Sequence, residues 1–279
     1  MDRAMRIDPV AMTIDARRLA ATRILLGGSA VSVGLHAYRV LSELRDPDSL
    51  RLPFLTEIDL TGAIVVLLVG LWLVSAAAYT IGWKTNVAGR LLFGIMAVTV
   101  AVDQQLYSNH AYLLWLLVGL STLSRPGAAW SLDSRTHHQV RVPAWPVVLM
   151  CTQVSLVYLF AAATKLNPDF LSGLMLERWL APSAQWAVGA SRAMSVITPI
   201  VESFLGLALW SPRLRRFAIL GGVLFHLSTP IFMVGPLELI EFSAIMVSTY
   251  WLFPGLTPAE VTAPSQPSRP TDSASTVPG

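Results

Sequence analysis

The sequence predicts an all-α polytopic integral membrane helical bundle with about eight transmembrane helices and a disordered C-terminal tail. Hydrophobic residues make up 54% of the 279 residues and charged residues 13%, against roughly 25% charged residues in an average soluble domain. Long apolar runs recur along the chain between short polar segments, and about 20 apolar residues suffice to cross a bilayer. These observations exclude a soluble globular domain and make the lipid bilayer the first expected partner.

Three regions are expected along the chain. Residues 1–18 form a charged N-terminal segment, residues 19–253 the transmembrane domain, and residues 254–279 a disordered tail rich in Pro, Ser and Thr. The predicted spans are Leu19–Leu41, Ile58–Ile81, Val87–Val102, Ala111–Ser124, Val147–Lys165, Met194–Trp210, Phe217–Val234 and Leu237–Phe253. The fourth span is short for a hydrocarbon core of about 30 Å. Between the fifth and sixth spans, residues 166–193 are expected to form short helices against the membrane surface.

The basic residues predict the orientation in the membrane. The chain has 20 basic residues and a net charge of +3, and most of these residues lie in short loops, which is typical of a topology signal rather than of nucleic-acid binding. Eight spans put both termini on one side, and the basic residues favour that side as the inner one. We expect a multi-pass cell-membrane protein with both termini in the cytoplasm and no nucleic-acid partner. The preference for Arg over Lys and the high alanine content favour a bacterial source.

One lysine ends the predicted fifth span. Lys165 and Lys84 are the two lysines of the chain, and Lys165 lies in the stretch VYLFAAATKLNPDF, Val157–Phe170. The following Asn167–Asp169 segment, NPD, should break the helix. A lysine at the end of a membrane helix is either an anchor that extends its ammonium group into the interface or a base at a functional site.

Other candidate site residues are expected on the same outer side of the membrane. Asp103 ends the third span, and Asn109 and His110 begin the fourth. Glu241 opens the eighth span, and Tyr158 lies two helical turns before the lysine of the fifth. Each has an ordinary alternative: Asp103 as a water-facing helix end, His110 as a helix cap, and Glu241 as a favourable charge in a first helical turn.

A deeper polar pair is predicted between the sixth and seventh spans. Glu202 and His226 each lie eight residues from the outer end of their spans, or about 12 Å at 1.5 Å per residue. The two spans are joined by a short turn and should be antiparallel neighbours. A charge in hydrocarbon costs from about 2.5 kcal/mol upward unless it is paired. We therefore predict a pair between Glu202 and His226, either as a structural bridge or as part of a proton pathway.

Four stretches carry a family resemblance. They are YLFAAATKLNPDFLSG (Tyr158–Gly173), SNHAYLLWLL (Ser108–Leu117), AWSLD (Ala129–Asp133) and LFHLSTPIFMVGPLELIEFSAIMVSTYWLF (Leu224–Phe253). In this order they resemble the vitamin K-dependent gamma-carboxylase-like family, also called the horizontally transferred transmembrane (HTTM) domain. The ordered set is more specific than any one of the motifs.

The resemblance implies an active site inside the membrane domain and a reduced quinone of the vitamin K or menaquinol type. By position, Lys165 matches the lysine that deprotonates the quinol in gamma-carboxylases. His110 matches a histidine implicated in the step that adds carbon dioxide to glutamate. The resemblance also implies a peptide or protein substrate.

Three functions remain open from the sequence. The first is a quinol-dependent carboxylase or related oxidative enzyme with Lys165 as the base. The second is a non-enzymatic membrane protein for maturation or export of a partner peptide, in which Lys165 and His110 stabilise the bundle. The third is a proton-coupled transporter that uses Glu202 and His226, although the chain has no visible inverted repeat.

Overall fold

A computed structural model of the protein describes residues 12–54, 59–136 and 139–256. The helices are α1 (Ala16–Glu43), α2 (Gly62–Ile81), α3 (Thr85–Val102), α4 (Asn109–Thr122), α5 (Trp145–Lys165), α6 (Pro168–Leu171), α7 (Leu174–Trp179), α8 (Ser191–Ala208), α9 (Arg215–Phe232) and α10 (Pro236–Val247). The 3₁₀ segments are Gln104–Leu106, Asp133–Arg135, Pro182–Ala190 and Tyr250–Leu256. Two short strands, β1 (Thr13–Asp15) and β2 (Arg141–Pro143), pair antiparallel. The helical class predicted from the sequence is confirmed, with this ribbon as an addition.

Five helical segments of the described chain are long and apolar enough to cross a membrane. They are α1, α2, α3, α5 and the segment Pro236–Leu256, which joins α10 to the last 3₁₀ helix. Helix α4 has 14 residues, or about 21 Å at 1.5 Å per residue, and is shorter than the hydrocarbon core. Helices α8 and α9 have 18 residues each and carry charged side chains. A membrane location follows from the five segments, whereas the total of eight crossings stays a prediction.

The second helix begins later than the sequence predicts. Thr61 caps α2, because its side-chain oxygen accepts a hydrogen bond from the backbone N–H of Ile64 at 3.3 Å. A helix therefore starts at Gly62 rather than at residue 58. Residue 58, the first residue of the predicted span, lies outside the described residues.

Both predicted ends of the transmembrane domain also differ from the structure. In the predicted N-terminal segment 1–18, Thr13–Asp15 forms strand β1 and α1 begins at Ala16. Residues 254–256 of the predicted tail belong to a 3₁₀ helix. The remaining parts, residues 1–11 and 257–279, lie outside the described residues.

The N-terminal and C-terminal ends of the described chain meet at one end of the bundle. The Arg18 side chain donates a hydrogen bond to the carbonyl of Trp251 at 2.7 Å, and Thr22 donates to the carbonyl of Ser248 at 2.8 Å. The side chain of Ile14 is fully buried among the core residues of this end. These contacts fix the ribbon, the start of α1 and the end of the last helix as one unit.

Residues 126–133 are held to the bundle by two sets of hydrogen bonds, one from a buried arginine and one between an aspartate and the start of α3. The Arg23 guanidinium is fully buried and donates hydrogen bonds to three carbonyls, those of Pro126, Ala129 and Trp130. Asp133 accepts hydrogen bonds from the backbone N–H groups of Lys84 and Thr85, at 2.8 and 2.7 Å, and from the Thr85 hydroxyl at 2.7 Å. Partial burial raises the pKa of Asp133, but these hydrogen bonds and the positive charge of Arg23 outweigh it, so the pKa lies below its ordinary value. The Trp-Ser-x-Asp motif therefore anchors a loop to the start of α3.

Candidate active site

Lys165 forms an ion pair at the C-terminal end of α5. Its Nζ atom lies 2.8 Å from Oε1 and 2.9 Å from Oε2 of Glu202, a residue of α8. A third hydrogen bond joins Nζ to the carbonyl oxygen of Ala161 at 3.2 Å. The side chain of Lys165 is 24% exposed and that of Glu202 is 8% exposed. The lysine therefore neutralises a buried carboxylate, and both oxygens of that carboxylate are used.

The direction of the lysine follows from helix geometry. Side chains of an α-helix lean toward its N-terminus, so Lys165, as the last residue of α5, extends back into the bundle. The chain then leaves the helix, because Asn167 accepts a hydrogen bond from the backbone N–H of Phe170 at 2.9 Å and caps α6, with Pro168 in its first turn. An ammonium group that extends inward meets Glu202 rather than the interface, which is the opposite of an anchoring lysine.

A glycine allows α5 and α8 to approach closely at this pair. A Cβ atom added to Gly206, one turn beyond Glu202, would lie 3.0 Å from the Leu159 side chain and 3.3 Å from the carbonyl oxygen of Ser155. A side chain at this position would therefore require Leu159 to move or the two helices to separate. The close packing brings Glu202 within reach of the lysine on the neighbouring helix.

The predicted pair between Glu202 and His226 is wrong. The carboxylate of Glu202 is bound by Lys165, and His226 Nε2 lies 2.6 Å from the hydroxyl of Tyr158. Glu202 and His226 lie at similar depths on two helices joined by a turn, but α8 also packs on α5, where Lys165 supplies a cation. An ion pair satisfies a buried carboxylate better than a neutral imidazole does.

A buried tyrosine–histidine network lies next to the ion pair. The hydroxyl of Tyr158 contacts both His226 Nε2 and the hydroxyl of Tyr250. His226 is 1% exposed, and its Nδ1 atom has no hydrogen-bond partner among the described residues. Gly222 makes room for the network, since a Cβ atom there would lie 2.5 Å from the Tyr250 hydroxyl oxygen. Tyr250 is not among the candidate residues predicted from the sequence, because it is far from Tyr158 in the chain.

A cavity of about 700 Å³ opens beside these groups. Five of the candidate residues line it: Asn109, Tyr158, Lys165, Glu202 and His226. Most of the other lining residues are aromatic or aliphatic, with Tyr107, Tyr112, Phe160, Phe225 and Phe242 among them. An ion pair at the edge of an apolar cavity is an arrangement that binds a largely apolar molecule and exchanges a proton with its polar end.

His110 and Glu241 form a separate cluster on the other side of the α4 start. His110 Nε2 lies 3.4 Å from Glu241 Oε2 and 3.2 Å from the hydroxyl oxygen of Ser108. Ser32 of α1 donates a hydrogen bond to Oε1 of the same glutamate. Lys165 and His110 therefore have no hydrogen-bond or ion-pair partner in common within the described residues. His110 lines a second, smaller cavity, whereas Lys165 lines the larger one.

Asp103 serves the loop before α2 rather than either cavity. The carboxylate is fully buried and binds the Arg51 side chain at 3.2 Å and the backbone N–H of Leu52 at 2.9 Å. It also accepts a hydrogen bond from the backbone N–H of Gln105 at 3.0 Å. The expectation of a water-facing helix end does not fit, because residues 50–54 cover it.

One protein family matches this chain. The profile of the HTTM domain matches residues 12–254, which is most of the chain. No solved structure matches the chain. The matched region contains all the helices described above and both polar clusters, so the chain belongs to the HTTM domain family.

Proposed function

We propose that this protein is a membrane enzyme of the quinol-dependent carboxylase type, in which the pair of Lys165 and Glu202 accepts a proton from the quinol. The observation that carries the proposal is the ion pair itself. Both carboxylate oxygens bind Nζ of the lysine, at the edge of a cavity of about 700 Å³. Ionisable groups at this depth are costly and are commonly retained for function.

The pair of Lys165 and Glu202 can accept one further proton, as a base must. A lysine acts as a base only when it is neutral, and next to a carboxylate it is charged. The ammonium–carboxylate form holds one proton across the two side chains, the same number as an amine beside a carboxylic acid. Either form takes up one further proton and then consists of an ammonium beside a carboxylic acid. Lys165 and Glu202 thus act as one acceptor, and the proton taken from a substrate hydroxyl ends on the glutamate.

The cavity suits an aromatic lipid-soluble substrate. Tyr107, Tyr112, Phe160, Phe225 and Phe242 supply aromatic surface, and Lys165 and Glu202 supply polar groups to the same cavity. A quinol presents a flat ring with two hydroxyl groups and an apolar chain, which matches this combination. In this family context, the quinol supplies the reducing equivalents for the reaction with oxygen, and a peptide glutamate is the proposed carbon acid.

The two competing functions differ from the enzyme in what they require of Glu202, His226 and Lys165. The proton-coupled transporter depends on a contact between Glu202 and His226, and the structure pairs each of them with a different partner. A non-enzymatic role in peptide maturation or export predicts that loss of Lys165 acts through stability alone, so that a variant of normal stability would function normally.

The experiment supplies purified protein with menaquinol, oxygen, labelled bicarbonate and a short glutamate-containing peptide. The expected result is quinone epoxide and label in the peptide from the wild type, and neither product above background from the double substitution Lys165→Met and Glu202→Leu, which removes both parts of the proton acceptor. Lys84→Ala is the matched control, because it removes the other lysine of the chain, which lies at the start of α3. The absence of epoxide from folded wild-type protein would overturn the carboxylase-type proposal.

The proposal includes eight crossings with both termini in the cytoplasm of a bacterial cell. Contacts between Arg18 and Trp251 and between Thr22 and Ser248 support it, since they hold the two ends of the described chain together. The test places a protease-cleavable tag at each terminus. Neither tag should be cut by protease added to intact cells, and cleavage of one tag but not the other would contradict an even number of crossings.

A further inference from the structure

The second cavity, of about 330 Å³, lies between α1, α2, α3 and the start of α4. Its size falls within the range of sites for small molecules. Trp72 and Trp115 form part of its walls. The indole N–H of Trp72 donates to the carbonyl of Ala30 at 2.8 Å, and that of Trp115 donates to the carbonyl of Phe93 at 2.9 Å. Because both N–H groups are used elsewhere, the two rings present apolar surface to a ligand.

Some of the polar side chains that line this cavity already form hydrogen bonds within the protein, and others do not. His110 is held by Glu241 and Ser108, and the Thr99 hydroxyl donates to the carbonyl of Ile95 at 2.7 Å. No hydrogen bond joins His36 to any residue within the described ranges, so its two ring nitrogens are available as one donor and one acceptor. The Tyr112 hydroxyl also has no hydrogen bond among the described residues, but Tyr112 lines the larger cavity as well, so His36 is the side chain without a hydrogen bond that lines this cavity alone.

The charge around the cavity selects against an anionic head group. None of the described residues that line it is Lys, Arg, Asp or Glu, so a carboxylate or phosphate would be buried without a counter-ion. The carboxylate of Glu241 lies 3.4 Å from His110 Nε2 and interacts electrostatically with His36, and its negative charge disfavours a second anion at these histidines. A hydroxyl or carbonyl head has no such penalty.

We propose that this cavity binds a neutral lipid with an apolar chain and a single hydroxyl or carbonyl head, whose head group bonds to His36. The site is separate from the Lys165 cavity, although Tyr107 and Tyr112 line both and form the partition between them. It does not depend on the carboxylase-type function and holds whether or not the larger cavity is catalytic.

The test uses a dibrominated long-chain alcohol as the probe, because bromine quenches tryptophan fluorescence on contact. Purified protein in detergent should show saturable quenching by the alcohol. The double substitution Trp72→Phe and Trp115→Phe should remove most of this quenching, although seven of the nine tryptophans remain. His36→Leu should weaken binding about fivefold, since one hydrogen bond contributes about 1 kcal/mol.

Substitutions that fill the cavity separate binding from non-specific partition into the micelle. Ala111→Phe should abolish saturable quenching, and Ala97→Phe, at an exposed cavity residue, is a second such variant if the first does not fold. Ala161→Phe fills the larger cavity instead and should leave quenching intact. Equal quenching in the wild type and both cavity-filling variants would overturn the proposal. So would equally tight binding of the dibrominated fatty acid or of a dibrominated phosphatidylcholine.

Discussion

Removal of one partner from the pair of Lys165 and Glu202 should destabilise the protein by an amount that depends on which partner is removed. Lys165→Met leaves a carboxylate that is 8% exposed without a counter-ion, and breaking a buried pair in this way costs about 3 to 5 kcal/mol. Glu202→Gln leaves a lysine that is 24% exposed, and a long flexible side chain can turn toward the interface. The second cost should be nearer 1 to 2 kcal/mol.

The double substitution Lys165→Met and Glu202→Leu should restore most of the stability. Replacing a whole buried ion pair with apolar side chains of similar size is often neutral or stabilising. We expect a free energy of unfolding within about 1 kcal/mol of the wild type. The two single changes are then strongly non-additive, as expected for residues in direct contact.

The single cysteine provides the assay. Cys151 is the one cysteine of the chain and is fully buried in α5, so a thiol-reactive fluorescent maleimide labels it only when the bundle opens. Labelling during thermal or denaturant unfolding in detergent gives the stability of each variant. Equal losses from the two single substitutions, or a double variant that shows their sum, would refute the claim of a buried, mutually dependent pair.

Three further outcomes follow from other contacts. Partial burial raises the pKa of Asp133, but its hydrogen bonds lower that pKa by more. The ionised carboxylate therefore stabilises the fold in full above about pH 4, the unfolded value, and this stabilisation is lost as the pH falls through the lowered folded pKa. The difference in the free energy of unfolding between the wild type and Asp133→Asn should therefore narrow below about pH 4. Tyr158→Phe leaves a buried imidazole with neither ring nitrogen bonded and should cost about 1 to 3 kcal/mol, whereas Tyr250→Phe, which keeps the tyrosine–imidazole bond, should cost less in the same unfolding assay. Gly206→Leu should cost about 1 to 3 kcal/mol by overpacking, while Gly221→Leu, where nothing lies within 4 Å of an added Cβ, should be tolerated; equal losses would contradict the role of close packing.

The helices were predictable because length and apolar composition are properties of the local sequence. Each predicted span overlaps one long helix or the last helical segment, and the short helices between residues 166 and 193 were expected. The ribbon of β1 and β2 was not, since strands of three residues have too few positions to show an alternating pattern. The start of α2 was also misplaced, because Thr61 as an N-cap is a weaker signal than the apolar run around it.

The site was only partly predictable, because polar partners depend on which helix faces which. Lys165 and Glu202 were both identified as candidates, but each was assigned to a different group. Depth along the membrane can be estimated from sequence position, whereas the rotation of α8 toward α5 depends on the glycine contact at Gly206. Tyr250 lies inside the predicted span Leu237–Phe253, but its contact with Tyr158 of α5 depends on how the two helices face each other, which the sequence does not show.

The most direct test of the central claim separates chemistry from stability at the pair. The double variant Lys165→Met and Glu202→Leu should unfold like the wild type in the Cys151 labelling assay, yet it has no proton acceptor at the cavity. Menaquinol epoxidation under oxygen is then measured for both proteins at equal concentrations of folded protein. We expect epoxide from the wild type and none above background from the double variant. Epoxide formation by the stable double variant at the wild-type rate would show that the pair is not the proton acceptor.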